Sequence, residues 1–510
     1  MREHSSRFCF SDQTYWRQYG ADELNARFLM HPNVKTAKNV IVFIGDGMGV
    51  QTHTAARIYK GQKEGRSGEE SVLEWEKFPY TGQSKTYNTD FQVPDSAGTA
   101  TALFTGVKTR MAVLGIDNKP SYNTCDPNLV EKSKLKSLLH QAVADGKATG
   151  IVTNTRVTHA TPGALYAHTQ NRNWEADSSM PDEYYGKCDD IAKQLIYSDV
   201  GQKINLVFGG GRQNFLTKAQ GGIRNDEDLI AKWKSLKRGE NHQVLLSKLQ
   251  LEEWTHTDYA LGLFSSSHMS YVLDRDDESE PSLDMMTKQA ILRLQKGPNG
   301  FFLMVEGGRI DQAHHKNWAK KALEETLELE KAVQVALELT NPDETLIVVT
   351  ADHSHAMTIN GYPHRGNDIL GYVYNEEREL WNEQPDGSRA AWSTISYANG
   401  LGFLDHFTND ALHPWRDIRE MDFTDDQYRS PAMVNPADGY ETHGGEDVPI
   451  LAYGPWAHLM VGVHEESYIC HVIEHAFGWR KDSRHLHASS QAMQHGIYFP
   501  LILLFSLVQQ

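Results

Sequence analysis

The sequence predicts an α/β fold built on a large, mostly parallel central sheet with one inserted surface subdomain. Two observations point to the sheet and a third to the insertion. Short β-branched or apolar runs recur along the chain without the polar alternation of a half-exposed strand, as strands buried on both faces of a parallel sheet do. Helical patterns lie between these runs, as in βαβ units. The stretch 372–438, rich in Asp, Asn, Trp and Pro, breaks this rhythm.

In chain order the predicted strands are 40–44 (VIVFI), 150–153 (GIVT), 204–208 (INLVF), 301–305 (FFLMV), 346–350 (LIVVT) and 448–453 (VPILAY). Helices are predicted over 135–144 and 322–339. The second places Leu323, Leu327, Val333 and Leu337 near one face and Glu and Lys on the other. No internal repeat is present. The 510 residues carry 50 basic and 67 acidic side chains, a formal net charge of −17, and 24 His. With 39 % hydrophobic and 23 % charged residues, this is a folded, soluble composition. The acidic balance argues against nucleic acid or an anionic membrane surface as a partner. A phosphate-bearing substrate remains compatible, because bound cations reverse a local field.

The strand ends carry the chemistry. The run 40–44 leads into Gly45-Asp46-Gly47-Met48-Gly49, 301–305 into Glu306-Gly307-Gly308-Arg309-Ile310-Asp311, and 346–350 into Ala351-Asp352-His353-Ser354-His355. Ligands of open α/β sheets bind beyond the carboxyl ends of the strands. One Asp after a strand is ordinarily a helix cap, but three such turns with Gly and His predict a single metal site. Asp311 and His315 are four apart, on one helical face, with His314 turned away. His443 lies just before the last strand. Imidazole and carboxylate donors without thiolate suit a catalytic zinc. Ser96, in Asp95-Ser96-Ala97-Gly98-Thr99, opens a small-residue helix. It reads as an N-cap or as a hydroxyl facing the anion-favouring helix end. No Gly-x-Ser-x-Gly elbow is present.

The two ends read differently. The first twenty residues show no apolar run of secretory length. Near the other end, Ala488, Ser489 and Ser490 precede a polar spacer 491–496 and an apolar tail 497–508, the layout of a glycolipid (GPI) anchor signal. The alternative is a last strand or helix packed on the fold. Cys9, Cys125, Cys188 and Cys470 form no CxxC pair. In an extracellular protein Cys125 and Cys188, both in polar surroundings, are the expected disulfide; in a cytosolic one all four are free thiols. No Asn-x-Ser/Thr acceptor occurs.

Taken together, VFIGDGMG, PDSAGTATALFTGVKT, VTHATPGALYAHTQNRNW, FLMVEGGRIDQAHH, VVTADHSH and ETHGGEDVP resemble the membrane-bound alkaline phosphatases of animals, in order from about residue 15 to 478. The resemblance implies a three-layer α/β sandwich with a small inserted crown, divided as a catalytic unit 15–371 and 439–480, a crown 372–438 and a tail 481–510. It implies phosphate monoesters as substrates, a phosphoserine intermediate, a homodimer, and a lipid anchor on the extracellular face of the cell membrane. It also implies two zinc ions and one magnesium ion. By motif, Ser96 resembles the nucleophile and Arg172 the phosphate clamp. Asp311, His315 and His443 match the first zinc site; Asp46, Asp352, His353 and Ser96 match the second. Asp46, Thr161 and Glu306 match magnesium, and His159 and His355 supporting positions. The family disulfide falls on Cys125 and Cys188.

Departures are Gln312, where many members have His, and the calcium region. There Ser265 follows Phe264 in place of an acid, the segment after Gly211 is short, and Glu280 is a remnant, which puts calcium in question. Two competing readings are a diesterase or sulfatase with a similar metal pair, and a binding protein on the same fold.

Overall fold

The computed structural model describes residues 13–374 and 381–480; Cys9 and the expected anchor signal lie outside them. The strands are β1 (Asn39–Gly45), β2 (Tyr80–Lys85), β3 (Ala148–Arg156), β4 (Leu206–Gly210), β5 (His242–Leu245), β6 (Tyr259–Leu263), β7 (Phe301–Gly307), β8 (Thr345–Thr350), β9 (Ser354–His355), β10 (Met357–Ile359), β11 (Trp381–Glu383), β12 (Arg389–Ala391), β13 (Ile395–Asn399), β14 (Ala432–Val434), β15 (His443–Gly444), β16 (Val448–Tyr453) and β17 (Gly462–Glu465). Ten form one sheet in the order β17-β2-β16-β8-β1-β7-β3-β4-β6-β5. All six predicted runs are in it. The four unpredicted strands lie at the two ends of the sheet: β17 and β5 are its edges and β2 and β6 their neighbours. Gly, Gln, Ser, His and Lys interrupt β2, β5 and β17, and β6 (YALGL) is buried but has Ala and Gly in place of β-branched residues.

The side-chain period of two divides the core. Val40, Val42, Ile44, Phe302, Met304, Leu346 and Val348 pack in one cluster with helices Ser96–Thr105, Leu138–Ala144 and Tyr468–Ala476. Ile41, Phe43, Phe301, Leu303, Val305, Ile347 and Val349 pack in the other with helices Val50–Lys63, Leu283–Leu294 and Ala319–Leu339. Alternate residues of each central strand thus face opposite helical layers, which is why these strands read as unbroken apolar runs.

Register sets the level of the site. Ile44 pairs with Glu306 of β7 on one side and Thr350 of β8 on the other, so Asp46, Glu306 and Asp352 leave the sheet at one edge. The last predicted strand, β16, is antiparallel to both neighbours, while every other adjacent pair in the sheet is parallel. It keeps its burial, and its reversal turns its amino end toward the edge where the parallel strands have their carboxyl ends. His443 can therefore precede a strand and still reach residues that follow strands. The two-residue ladder of β15 with β9 pairs His443 directly with His355.

Helix Leu138–Ala144 starts three residues later than expected, because Ser137 caps it. The charged face of helix Ala319–Leu339 is covered rather than solvated. Glu328 pairs with Arg275 at 2.7 Å, Glu330 with Lys60 at 2.6 Å and Glu324 with Lys63 at 2.7 Å. Cys125 and Cys188 form the disulfide, and Cys470 is a buried thiol. Among the described residues no helix is long and apolar enough to cross a membrane.

Candidate functional site

Asp46 leaves β1 in a turn that only small residues permit. Gly47 has φ +70°, and a Cβ there would stand 2.4 Å from the His355 ring; one on Gly49 would stand 2.0 Å from Ser354 Oγ. The glycines let the strand end approach the 352–355 segment closely. Asp352 Oδ1 accepts the amides of Gly47 (3.1 Å) and His353 (3.0 Å), which leaves Oδ2 turned to the site, 3.3 Å from His353 Nε2. Asp46 Oδ1 also lies 3.3 Å from His353 Nε2.

Ser96 is the first residue of helix Ser96–Thr105, and it is not the cap. Asp95 caps the helix, accepting from Ala97 N (3.3 Å) and Gly98 N (3.2 Å). The Ser96 hydroxyl is thereby left 3.1 Å from His353 Nε2 and 3.4 Å from Asp46 Oδ1, fully buried. Arg172 donates from Nη1 to Asp95 Oδ2 (3.1 Å) and from Nη2 to His159 Nε2 (3.0 Å). Burial works against its charge, but Asp95, Asp46 and Asp311 outweigh it and hold the guanidinium protonated.

A second cluster centres on Asp311, in the short helix Arg309–His314. Its Oδ1 lies 3.2 Å from His315 Nε2, 3.3 Å from His443 Nε2 and 2.8 Å from His355 Nε2. The i,i+4 pair meets as the spacing predicts. His314 turns into the core, against Thr52 Oγ1 (3.0 Å) and Tyr397 OH (2.8 Å).

Tautomers follow from carbonyls, which only accept. His315 Nδ1 donates to the Glu441 carbonyl (2.6 Å) and His443 Nδ1 to the Pro94 carbonyl (2.7 Å). In the neutral rings both Nε2 atoms then carry lone pairs, yet they face each other at 3.1 Å beside a carboxylate. Only positive charge between them reconciles that geometry. Without a cation a proton supplies it: Asp311 raises His315 in spite of burial, and His315 in turn holds Asp311 well below the usual carboxylate range.

A third group is made of oxygens. Asp46 Oδ2, Glu306 Oε1 and Thr161 Oγ1 belong to fully buried residues and make no well-formed hydrogen bond, although the Thr161 hydroxyl is close enough to Glu306 to favour its carboxylate; Glu306 Oε2 accepts from Thr153 and Thr155. Burial, and then Asp352, Asp311 and Glu306, push Asp46 well up. Burial, opposed by the Thr153 hydroxyl, takes Glu306 to about 7. Burial, opposed by the Gly47 amide, takes Asp352 to about 6. Orphaned buried acceptors and repelling carboxylates fit bound cations: a nitrogen-rich set at Asp311, His315 and His443, a mixed one at Asp46, Asp352 and His353, and an all-oxygen set suited to a hard ion at Asp46, Thr161 and Glu306.

Every expected site residue lies in this region, but Gln312 turns aside, with Nε2 3.1 Å from the His268 ring nitrogens and Oε1 accepting from Arg309. His355 is held between Asp311 and Glu441, which together push it up to about 10 despite burial. Sequence reasoning missed Glu441, Asp95 and His268. Glu441 and Asp95 stood inside the quoted motifs beside His443 and Ser96; His268 had no signal. Glu280 accepts from Ser270 N (2.9 Å) and Oγ (3.3 Å), and among the described residues no metal-ligand group includes it.

Comparison with known proteins gives the family. The alkaline phosphatase family model matches residues 37–479. The tissue-nonspecific isozyme of alkaline phosphatase from Gallus gallus is 43 % identical over 517 residues, covering 98 % of this chain and 95 % of the relative. A membrane-bound alkaline phosphatase from Bombyx mori is 39 % identical, covering 90 % and 84 %. The crystal structure of Thermus thermophilus alkaline phosphatase shares the fold, with TM-score 0.62 at 23 % identity over 88 % of this chain and 93 % of that one. The chain belongs to the alkaline phosphatase family and is a hydrolase of that class.

Proposed function

We propose that this enzyme hydrolyses a broad range of phosphate monoesters through a phosphoserine on Ser96, with two zinc ions and one magnesium ion. Zinc would be held by Asp311, His315 and His443 and by Asp46, Asp352, His353 and Ser96; magnesium by Asp46, Thr161 and Glu306. When bound, such cations supply Lewis-acid charge that acidifies hydroxyl groups and neutralises phosphoryl oxygens. The observation that carries the reading is the freed Ser96 hydroxyl, packed on His353 and Asp46 at a helix N-terminus while Asp95 does the capping.

The residues have separable tasks. Arg172 offers two parallel N–H donors to the non-bridging phosphoryl oxygens, and Asp95 and His159 fix its plane. Ser96 Oγ attacks phosphorus, the bond to the ester oxygen breaks, and the alcohol leaves with a proton. Water then attacks the phosphoserine, the Ser96 Oγ–phosphorus bond breaks, and inorganic phosphate departs. The helix dipole behind Ser96 favours the anionic group throughout.

The division into a catalytic unit (15–371 and 439–480) and a crown (372–438), the homodimer, and the glycolipid anchor on the extracellular face belong to the same proposal. The membrane-bound Bombyx mori relative supports the last. Turnover of nitrophenyl phosphate, bis(nitrophenyl) phosphate and nitrophenyl sulfate tests the reaction. The monoester is expected to be fastest and Ser96→Ala to lose on the order of 10⁴-fold or more. Faster turnover of the diester or sulfate, or near wild-type activity in Ser96→Ala, contradicts the proposal.

A further inference from the structure

A second set of orphaned oxygens includes none of the residues named above, although the charge of Asp352 is felt at it. Glu466 is 1 % exposed, and neither of its carboxylate oxygens has a hydrogen-bond partner. The hydroxyls of Ser84, Thr86 and Thr109, exposed by 0, 2 and 0 %, also have none. Strand register brings Glu466, Thr86 and Ser84 together. In the parallel pair β17–β2, His464 is level with Ser84 and Glu465 with Lys85, and Glu466 N donates to the Lys85 carbonyl at 3.3 Å. Glu466 is therefore level with Thr86, and strand alternation puts Glu466, Thr86 and Ser84 on one face. Thr109 follows Lys108, whose ammonium reaches the carbonyls of Lys85 (2.8 Å) and Tyr87 (2.9 Å).

Charge is unbalanced on that inner face. Glu465, on the outer side, takes both neighbouring lysines: Lys85, and Lys108 at 3.1 Å. Glu466 is in no ion pair, and burial, opposed by the charge of Lys108 and helped by those of Asp352 and Glu465, pushes its carboxyl well up. A buried carboxylate needs a counter-charge or a proton. Oxygens gathered round a hard cation at about 2.4 Å stand roughly 3.4 Å or more from one another, at the limit of hydrogen-bond reach. One formal charge among neutral hydroxyls matches a singly charged ion, whereas calcium sites draw on several carboxylates.

We propose that Glu466, Ser84 and Thr86 bind a monovalent cation, sodium or potassium. The site would pin the ends of β2 and β17 beneath helix Tyr468–Ala476, which packs on the helix that carries Ser96. Two experiments test it on the holoenzyme with zinc and magnesium saturating. Thermal unfolding is compared in sodium, potassium and choline chloride at one ionic strength. The midpoint is expected about 2 °C higher in sodium or potassium than in choline, with the difference lost in Glu466→Gln and reduced in Thr86→Val. Crystals soaked in rubidium are expected to show an anomalous peak beside Glu466 in the wild type and none there in Glu466→Gln. Equal midpoints in all three salts, a response to calcium alone, or water with no rubidium at Glu466 would each overturn the site.

Discussion

His355 carries no predicted ligand role, yet it joins the two halves of the site. Its Nε2 meets Asp311 at 2.8 Å and its Nδ1 meets Glu441, whose own carbonyl fixes the His315 tautomer. Glu441 thus sets the orientation of two imidazoles without reaching the reacting atoms. Glu441→Gln keeps that carbonyl and removes the charge that holds His355 protonated. Zinc affinity is expected to fall by about 10–100-fold, measured by competition with a chromophoric chelator; unchanged affinity would remove Glu441 from the ligand support. The carboxylates give a second residue-scale expectation. Glu306 at about 7 and Asp352 at about 6 stand above their ordinary values, so in the metal-free protein they hold protons that the unfolded chain has already lost. Stability of that form is expected to fall as pH rises from about 4.5 to about 7. Loading with zinc and magnesium near pH 6 is expected to release protons, readable by calorimetry in buffers of different ionisation enthalpy. Uptake of protons, or none exchanged, would contradict the assignment of these carboxylates as ligands.

At the scale of elements, a one-residue shift decides what Ser96 is. Read locally, a Ser before a run of small residues caps the helix, and nothing in its immediate neighbours separates that role from nucleophile. The helix starts at Ser96 because Asp95 is the better cap and is itself held by Arg172 and Asn88. Asp311 and His315 were legible from spacing because helix geometry is local. His443 was legible as a site residue by its neighbours, but not its route to the site, because that depends on the direction of β16. Glu441 and His268 were not legible as partners, since their contacts join segments far apart in the chain. The Cys125–Cys188 bridge closes a segment of 63 residues that contains Arg172. Loop closure on that scale contributes about 4 kcal/mol in the chain-entropy model. Cys188→Ser is expected to lower stability by ~2–4 kcal/mol in denaturant titration; an unchanged midpoint would show that the bridge contributes little.

At the scale of the molecule, the sheet is an instrument for delivery. Ten strands bring residues from positions 46 to 443 to one edge, and the single reversed strand adds the last of them. The net charge of −17 includes Asp46, Glu306, Asp311 and Asp352, whose mutual repulsion the proposed cations would relieve. With them bound, an acidic protein would keep a pocket able to attract a phosphate dianion. The layout of the parallel core was readable because both faces of each central strand are buried. The edge strands were not, because half-exposed strands lack an apolar run. In the proposed reaction, phosphate passes through Ser96. Holoenzyme turning over nitrophenyl phosphate at acid pH, quenched, digested and analysed by mass spectrometry, tests it most directly. A phosphorylated peptide is expected with the modification on Ser96, absent in Ser96→Ala. Phosphate on another residue, or full turnover with no phosphorylated peptide, would contradict the account.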